Sequence, residues 1–171
     1  MPLVDLDGDG SLDIIALVSQ EREEIHVLLN RGEGQFVDHI LYRAPTPLFG
    51  SSGIEPIDID GDGDLDLLYT NGDAFDVPGA SDQTLLRPYH GVQWLENKGR
   101  LRFVRHGLLR YYGAYSAVGG DLDSDGDVDI VVTSLFNDWD DPDRKSIIWL
   151  ENDGEQRFTP HAVRRSISSS F

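Results

Sequence analysis

The strongest constraint on the fold is an acidic stretch of nine residues that occurs three times. The copies begin at Asp5, Asp58 and Asp121, with Asp at positions 1, 3, 5 and 9 and Gly at position 6. Each copy is followed by a short apolar run, at 14–18, 67–70 and 130–133. These runs contain many β-branched or aromatic residues and end in turn residues, which favours strands over helices. Each acidic stretch is therefore predicted to be a loop between two strands.

Carboxylates that converge at the turn of such a loop suit a hard cation. Ca²⁺ takes about six to eight oxygen ligands from carboxylates and backbone carbonyls. We expect side-chain ligands at positions 1, 3, 5 and 9 and a backbone carbonyl at position 7. The predicted ligands are Asp5, Asp7, Asp9, Ser11 (carbonyl), Asp13, Asp58, Asp60, Asp62, Asp64 (carbonyl), Asp66, Asp121, Asp123, Asp125, Asp127 (carbonyl) and Asp129. The alternative is a solvated acidic turn without a metal, which three copies at one spacing disfavour.

The loops are not EF-hand loops, although their first nine positions are similar. An EF-hand loop has a bidentate Glu at position 12 and lies between two helices. Position 12 here is Ala16, Tyr69 or Val132, and the flanking segments have strand character. The closing ligand and the helices of an EF-hand are therefore both missing.

The repeated unit extends beyond the acidic loop. A second strand-like segment ends in an Asn-x-Gly turn in each copy, a Phe follows six residues after the Asn, and a His follows three residues later. These residues are Asn30, Phe36 and His39; Asn97, Phe103 and His106; and Asn152, Phe158 and His161. Asn and Gly tolerate positive φ, so the turn suits a hairpin. Four antiparallel strands per unit are typical of a β-propeller blade, in which the periodic His residues are expected to pack or pair rather than bind a ligand.

These motifs resemble the FG-GAP/VCBS repeat, whose blades build the seven-bladed integrin α propeller and many bacterial secreted proteins. Phe49-Gly50 followed by the Asp58–Asp66 loop resembles the core motif, and the Trp-Leu-Glu-Asn blocks at 94–97 and 149–152 resemble the bacterial VCBS type. The absence of a Gly-Ala-Pro element after the second strand favours that type over the integrin type. The resemblance implies one structural Ca²⁺ per loop, three in all, at an outer turn of each blade.

The sequence thus predicts an all-β chain of about three blades from a larger, seven-bladed propeller. The whole chain, 1–171, is predicted to be one partial propeller with repeats at about 1–43, 44–109 and 110–165. The first repeat is expected to lack its leading strand, because only four residues precede its loop. Since a closed ring needs about four to eight blades, we expect a fragment whose open edges meet the remaining blades or, alternatively, another copy of the chain.

Composition excludes several functions. The formal net charge is −17, which argues against nucleic acid as a partner. The basic stretch 100–110 alternates with apolar residues and predicts an exposed strand face rather than a binding patch. There is no cysteine, which excludes disulfides, thiolate zinc sites and cysteine nucleophiles.

We expect no membrane span, because no apolar run approaches about 20 residues. A signal-peptide pattern is also not present in this chain. Calcium loops of weak to moderate affinity fill where Ca²⁺ is near millimolar. We therefore expect an extracellular or periplasmic protein.

The segments that do not repeat carry the functional prediction, since loops on a rigid scaffold often bind ligands. Inserts stand at about 71–88 and 137–143, and the candidate rim residues are Tyr89, His90 and Trp139. We expect a non-enzymatic, calcium-stabilised scaffold for a protein or glycan ligand. The alternatives are ordinary solvated loops, or the propeller portion of a polysaccharide lyase or sugar dehydratase with its site in these inserts. No G-x-S-x-G, P-loop or Rossmann motif assigns a catalytic residue.

Overall fold

The computed structural model describes residues 1–19, 22–73, 88–135 and 145–165. The strands in these residues are β1 (Leu3–Val4), β2 (Asp13–Val18), β3 (Glu24–Asn30), β4 (Phe36–Arg43), β5 (Ser51–Ile57), β6 (Asp66–Asn71), β7 (Gly91–Asn97), β8 (Phe103–Arg110), β9 (Ala114–Gly120), β10 (Asp129–Ser134), β11 (Lys145–Asn152) and β12 (Phe158–Arg165). No helix that could cross a membrane occurs in this part of the chain.

The strands form three four-stranded antiparallel sheets, each in sequence order. Blade 1 is β1–β4, blade 2 is β5–β8 and blade 3 is β9–β12. The acidic loops join the first two strands of each blade, so the predicted blade of four antiparallel strands is confirmed. The expectation that the first repeat lacks its leading strand is wrong: Leu3 and Val4 pair with Ile14 and Asp13 and form a short β1.

Alternating side chains of blade 2 meet blade 1 on one face and blade 3 on the other. In β6, Leu67 and Tyr69 are buried in a cluster with blade 1, whereas Leu68 is buried in a cluster with blade 3. Successive side chains of a strand point to opposite faces of its sheet. Blade 2 is therefore covered on both faces, and its strands β6 and β7 are buried throughout.

The periodic histidines lie in strand pairs. His106 is opposite Trp94, with ring centroids 4.8 Å apart, and His161 is opposite Trp149 at 4.9 Å. In blade 1, His39 pairs with Val27 in the same register. These histidines therefore belong to the repeated packing of the blades.

Candidate functional site

The first Asp of each acidic loop organises the turn by accepting backbone hydrogen bonds. The Asp5 carboxylate accepts from the N–H groups of Gly8 (2.9 Å), Asp9 (3.1 Å) and Gly10 (2.9 Å). The other two loops repeat this arrangement with Asp58 accepting from Gly61 (2.8 Å) and Gly63 (3.0 Å), and Asp121 accepting from Ser124 (2.7 Å) and Gly126 (3.2 Å). The first carboxylate of each loop therefore stabilises the turn by accepting hydrogen bonds from its backbone N–H groups.

The last Asp of each loop is buried at the start of the second strand and holds two other segments. Asp66 is 1% exposed; its Oδ2 accepts from the N–H of Ile59 at 3.1 Å, and its Oδ1 accepts from the N–H of Asn97 at 2.7 Å. The matching bonds are Leu6 and Asn30 to Asp13 (3.0 and 2.8 Å), and Leu122 and Asn152 to Asp129 (3.1 and 2.9 Å). A carboxylate has about four acceptor positions, so these bonds leave room for a cation.

The hairpin Asn completes the link between the acidic loop and the third strand. The Nδ2 of Asn97 donates to the carbonyl of Leu65 at 3.1 Å, and its Oδ1 accepts from the N–H of Gly99 at 2.9 Å. Asn30 and Asn152 make the same carbonyl contact, to Leu12 and Val128, each at 3.2 Å. Sequence reasoning assigned this Asn only to the turn; its presence in all three copies was the signal of a shared structural role.

Three carboxylates converge in each loop. One oxygen from each member lies within 4.8 Å of the others in the groups Asp5, Asp7 and Asp13; Asp58, Asp60 and Asp62; and Asp121, Asp123 and Asp125. Ca²⁺ binds oxygen at about 2.3–2.6 Å, so two ligands of one ion lie at most about 5 Å apart. Both the all-oxygen donor set and the separations therefore fit Ca²⁺.

In the first loop, Asp9 at position 5 lies outside the converging group. Asp13 at position 9 belongs to that group instead. Among the predicted backbone ligands, Ser11, Asp64 and Asp127 donate their N–H groups to the position 5 carboxylates at 2.8–2.9 Å.

The second and third loops raise the pKa of several of their carboxylates. Burial raises the pKa of Asp66 to about 6. Desolvation, with Asp62 and other acids nearby, raises the pKa of Asp60. In the third loop, desolvation and the nearby Asp125 raise the pKa values of Asp123 and Asp127. In the first loop, a hydrogen bond from Ser11 lowers the pKa of Asp9. Crowded carboxylates with raised pKa values are groups that a bound cation would stabilise in the charged form.

The residue after the hairpin Asn differs in charge between the three blades. In blade 1 it is Arg31, whose Nη1 lies 2.8 Å from Asp9 and whose Nη2 lies 3.0 Å from Asp7. In blade 2 it is Lys98, which pairs with Glu96. The blade 3 equivalent is Asp153, which contributes to the raised pKa of Asp127. The hairpin therefore adds a positive charge to the first loop and a negative charge to the third.

The candidate rim residues occupy different environments. His90 is 1% exposed, so its side chain lies in the interior rather than on the rim. Tyr89 is half-buried, donates from its hydroxyl to the Leu48 carbonyl at 2.8 Å, and stacks on Phe49 with centroids 5.5 Å apart. Trp139 and most of both inserts lie outside the described residues.

Tyr89 borders a cavity of about 350 Å³ formed by blade 2 and the connection that precedes it. Phe49, Gln93, Arg105 and Arg110 also line it. Arg105 and Arg110 belong to the stretch that the sequence predicted to be only an exposed strand face. Sequence reasoning missed them because nothing local to β8 shows that Phe49 and Tyr89 lie beside its end.

Comparisons with known proteins support the blade architecture. Residues 5–69 match the family model of the FG-GAP-like repeat, so the recognised resemblance is confirmed in this segment. No curated protein matches the chain. A solved structure, described as the basis of specific recognition of non-reducing terminal N-acetylglucosamine by an Agrocybe aegerita lectin, is similar with a TM-score of 0.58 and 16% identity. The match covers 99% of this chain and 40% of that one. The fold is therefore that of β-propeller blades, and this chain spans less than half of that structure's length.

Proposed function

We propose that this chain is a calcium-stabilised segment of a β-propeller that acts as a non-enzymatic binding scaffold outside the cytosol. The observation that carries the proposal is the convergence of three carboxylates in each of three loops with a common backbone framework. A shared framework in three places is expected of a repeated binding function rather than of chance surface acidity. The FG-GAP-like match over the first loop supports the same conclusion.

Calcium has a structural role in this proposal. The ion would neutralise carboxylates that lie on the loop between the first two strands and would hold that loop to the hairpin Asn. A ligand that binds only the folded state stabilises it by about 1.4 kcal/mol per site at ten times its Kd. Three such sites are a large part of a typical domain stability of about 5–15 kcal/mol.

The ligand of the scaffold is proposed to be a glycan, with a protein ligand as the alternative. The similar solved structure is that of a lectin, and the cavity beside Tyr89 has the mixed aromatic and polar lining of a ligand pocket. The carbohydrate-active enzyme considered from the sequence would have its site in the inserts. Residues 74–87 and 136–144 of those inserts lie outside the described residues, so no geometry favours that function.

Thermal unfolding in EGTA, in Ca²⁺ and in Mg²⁺ tests the calcium proposal, with the mass in solution recorded in each buffer. We expect Ca²⁺ to raise the Tm and Mg²⁺ to raise it much less, because Mg²⁺ requires a smaller octahedral site. Asp62→Asn should reduce the calcium-dependent increase. The control Glu33→Gln makes the same charge change on an exposed hairpin residue and should leave the increase unchanged. A cooperatively unfolding chain without any response to Ca²⁺ would refute the proposal.

A further inference from the structure

The cavity beside Tyr89 is lined by an exposed arginine that is hydrogen-bonded to a chain of buried amides. Arg105 donates from Nη1 to Gln93 Oε1 at 2.6 Å, and Gln93 donates from Nε2 to Asn71 Oδ1 at 3.1 Å. Asn71 in turn donates to the carbonyls of Phe49 (3.2 Å) and Tyr89 (2.9 Å). Gln93 is 5% exposed and Asn71 is fully buried. The hydrogen bonds thus connect the guanidinium to the backbone that carries both aromatic rings of the cavity.

The guanidinium of this arrangement is particular to blade 2, although blade 1 also has a polar side-chain pair at the same two positions. Counted from the hairpin Asn and the following Phe, the positions of Gln93 and Arg105 are His26 and Asp38 in blade 1, and Ile148 and Pro160 in blade 3. The blade 1 residues form a pair of the opposite order, with the basic group on His26 and the acid on Asp38, so an arginine on the outer strand occurs only in blade 2 among the three copies. Residues that break a structural repeat are better candidates for ligand binding than residues that follow it.

The charge at the cavity is opposite to that of the molecule. The chain carries a formal net charge of −17, yet Arg105 and Arg110 both line this cavity. Among the described residues, the ion pairs of the structure leave Arg105 without a carboxylate partner. A guanidinium has five N–H donors, and Gln93 uses one of those on Arg105. The remaining donors suit the two oxygens of a ligand carboxylate.

The rest of the lining provides surfaces for a polar ring. Tyr89 presents a half-buried aromatic ring whose position is fixed by its hydroxyl bond to Leu48 and its stacking on Phe49. The lining also includes residues 107–110 of β8, which is the edge strand of blade 2. An edge strand has backbone N–H and C=O groups that no neighbouring strand pairs, so these groups are suited to ligand hydroxyls. The volume of about 350 Å³ lies at the small end of ligand pockets.

We propose that this cavity binds a sugar that carries a carboxylate, a uronic acid, with the carboxylate on Arg105 and the ring against Tyr89. The inference rests on the glycan part of the proposed function and adds a location and a chemical class to it. It does not depend on calcium occupancy of the acidic loops.

A matched pair of ligands tests this inference in ligand-observed NMR and calorimetric titrations with the calcium-loaded chain. D-glucuronate and D-glucose differ in the carboxylate at C6. We expect glucuronate to bind about tenfold or more tightly than glucose, the ratio expected for a charge-assisted hydrogen-bond pair. Arg105→Gln should abolish that preference. The control Arg102→Gln removes the same charge from an exposed residue of the same blade outside the cavity and should retain it.

Other outcomes identify which conclusion fails. Equal binding of both sugars would overturn the carboxylate preference while leaving the glycan scaffold in place. Acetate that displaces glucuronate at equal concentration would show a simple anion site and overturn the sugar. Binding of neither sugar by a chain whose Tm still rises with Ca²⁺ would overturn the cavity as a sugar site, whereas the calcium proposal would stand. A retained preference in Arg105→Gln would overturn the role of that residue.

Discussion

Arg31 donates from Nη1 to Asp9 Oδ2 across 2.8 Å, so the first acidic loop contains a cation supplied by its own blade. The same guanidinium also contacts Asp7, a member of the converging group of that loop. Asp153 holds the corresponding place in blade 3 and adds negative charge there. The three loops are therefore not equivalent, although their sequences are nearly so.

Removal of the Arg31 guanidinium should strengthen calcium binding to the first loop. In Arg31→Gln we expect affinity at that loop to rise about two- to fivefold, as expected for the loss of an exposed ion pair. In EGTA the same variant should have a lower Tm, because its carboxylates lose their counter-ion. Calorimetric titration with Ca²⁺ and thermal unfolding in EGTA measure the two effects.

The third loop provides the opposite test. Asp153→Asn keeps an oxygen that can accept from the N–H groups of Glu155 and Arg157 but removes the charge. Calcium affinity at the third loop should therefore fall. If both variants changed affinity in the same direction, the charge of the hairpin residue would not be what distinguishes the loops.

The hairpin Asn should be important for stability with or without calcium. Asn97 is 4% exposed, and Asn97→Ala removes its bonds to the Leu65 carbonyl and the Gly99 N–H. We expect the free energy of unfolding to fall by about 1–3 kcal/mol in urea titrations, in EGTA as well as in Ca²⁺. Asn97→Asp retains the acceptor and loses the donor, so it separates the two bonds. A loss confined to the calcium buffer would mean that the Asn acts only through the metal.

Ser124 stands at a left-handed position that glycine occupies in the other loops. Its φ is +70°, and the matching residue Gly61 has a φ of +72°. A residue with a Cβ in this region lowers the free energy of unfolding by about 1–2 kcal/mol relative to glycine. The greater conformational freedom of glycine in the unfolded chain makes the difference smaller. Ser124→Gly should therefore raise the Tm slightly, and Gly61→Ser should lower it. No heavy atom lies within 4 Å of a Cβ built on Gly61, so backbone strain alone would cause the loss.

Blade 1 should lose stability as the pH rises through the titration of His26. Hydrogen bonds to Asp38 (2.8 Å) and then Glu24 (3.0 Å) raise the pKa of His26 above 6.5, against partial burial. The stability that these hydrogen bonds contribute is fully present below the pKa of His26 in the unfolded chain. It is lost as the pH rises through the higher pKa of His26 in the folded chain. Arg43, 2.6 Å from Glu24, remains charged throughout.

Thermal unfolding from about pH 5.5 to 8.5 measures this dependence. His26→Gln should flatten the profile in this range, and Asp38→Asn should reduce its slope. A steep fall in stability that persists in His26→Gln would assign the pH dependence to another group.

The blade architecture follows from local patterns in the sequence. The nine-residue loops, the apolar runs after them and the Asn-x-Gly turns each specify a turn or strand through residues close together in the chain. Because the pattern occurs three times, it also predicted the four-stranded unit that the structure contains. Short-range periodicity and turn chemistry are sufficient for this level of prediction.

The sequence by itself thus determined the blades and the acidic loops, whereas only the tertiary structure decided which charges meet and which rim residues reach a cavity. Tyr89 and His90 are neighbours in the chain, yet one lines the cavity and the other is buried. Arg105 reaches that cavity because strand pairing places it beside Gln93 and loop packing brings Phe49 and Tyr89 to the same place. Arg31 meets an acid 22 residues earlier for the same reason. These contacts form because strand pairing and loop packing bring together side chains from separate segments, and the pattern within any one segment does not specify that packing.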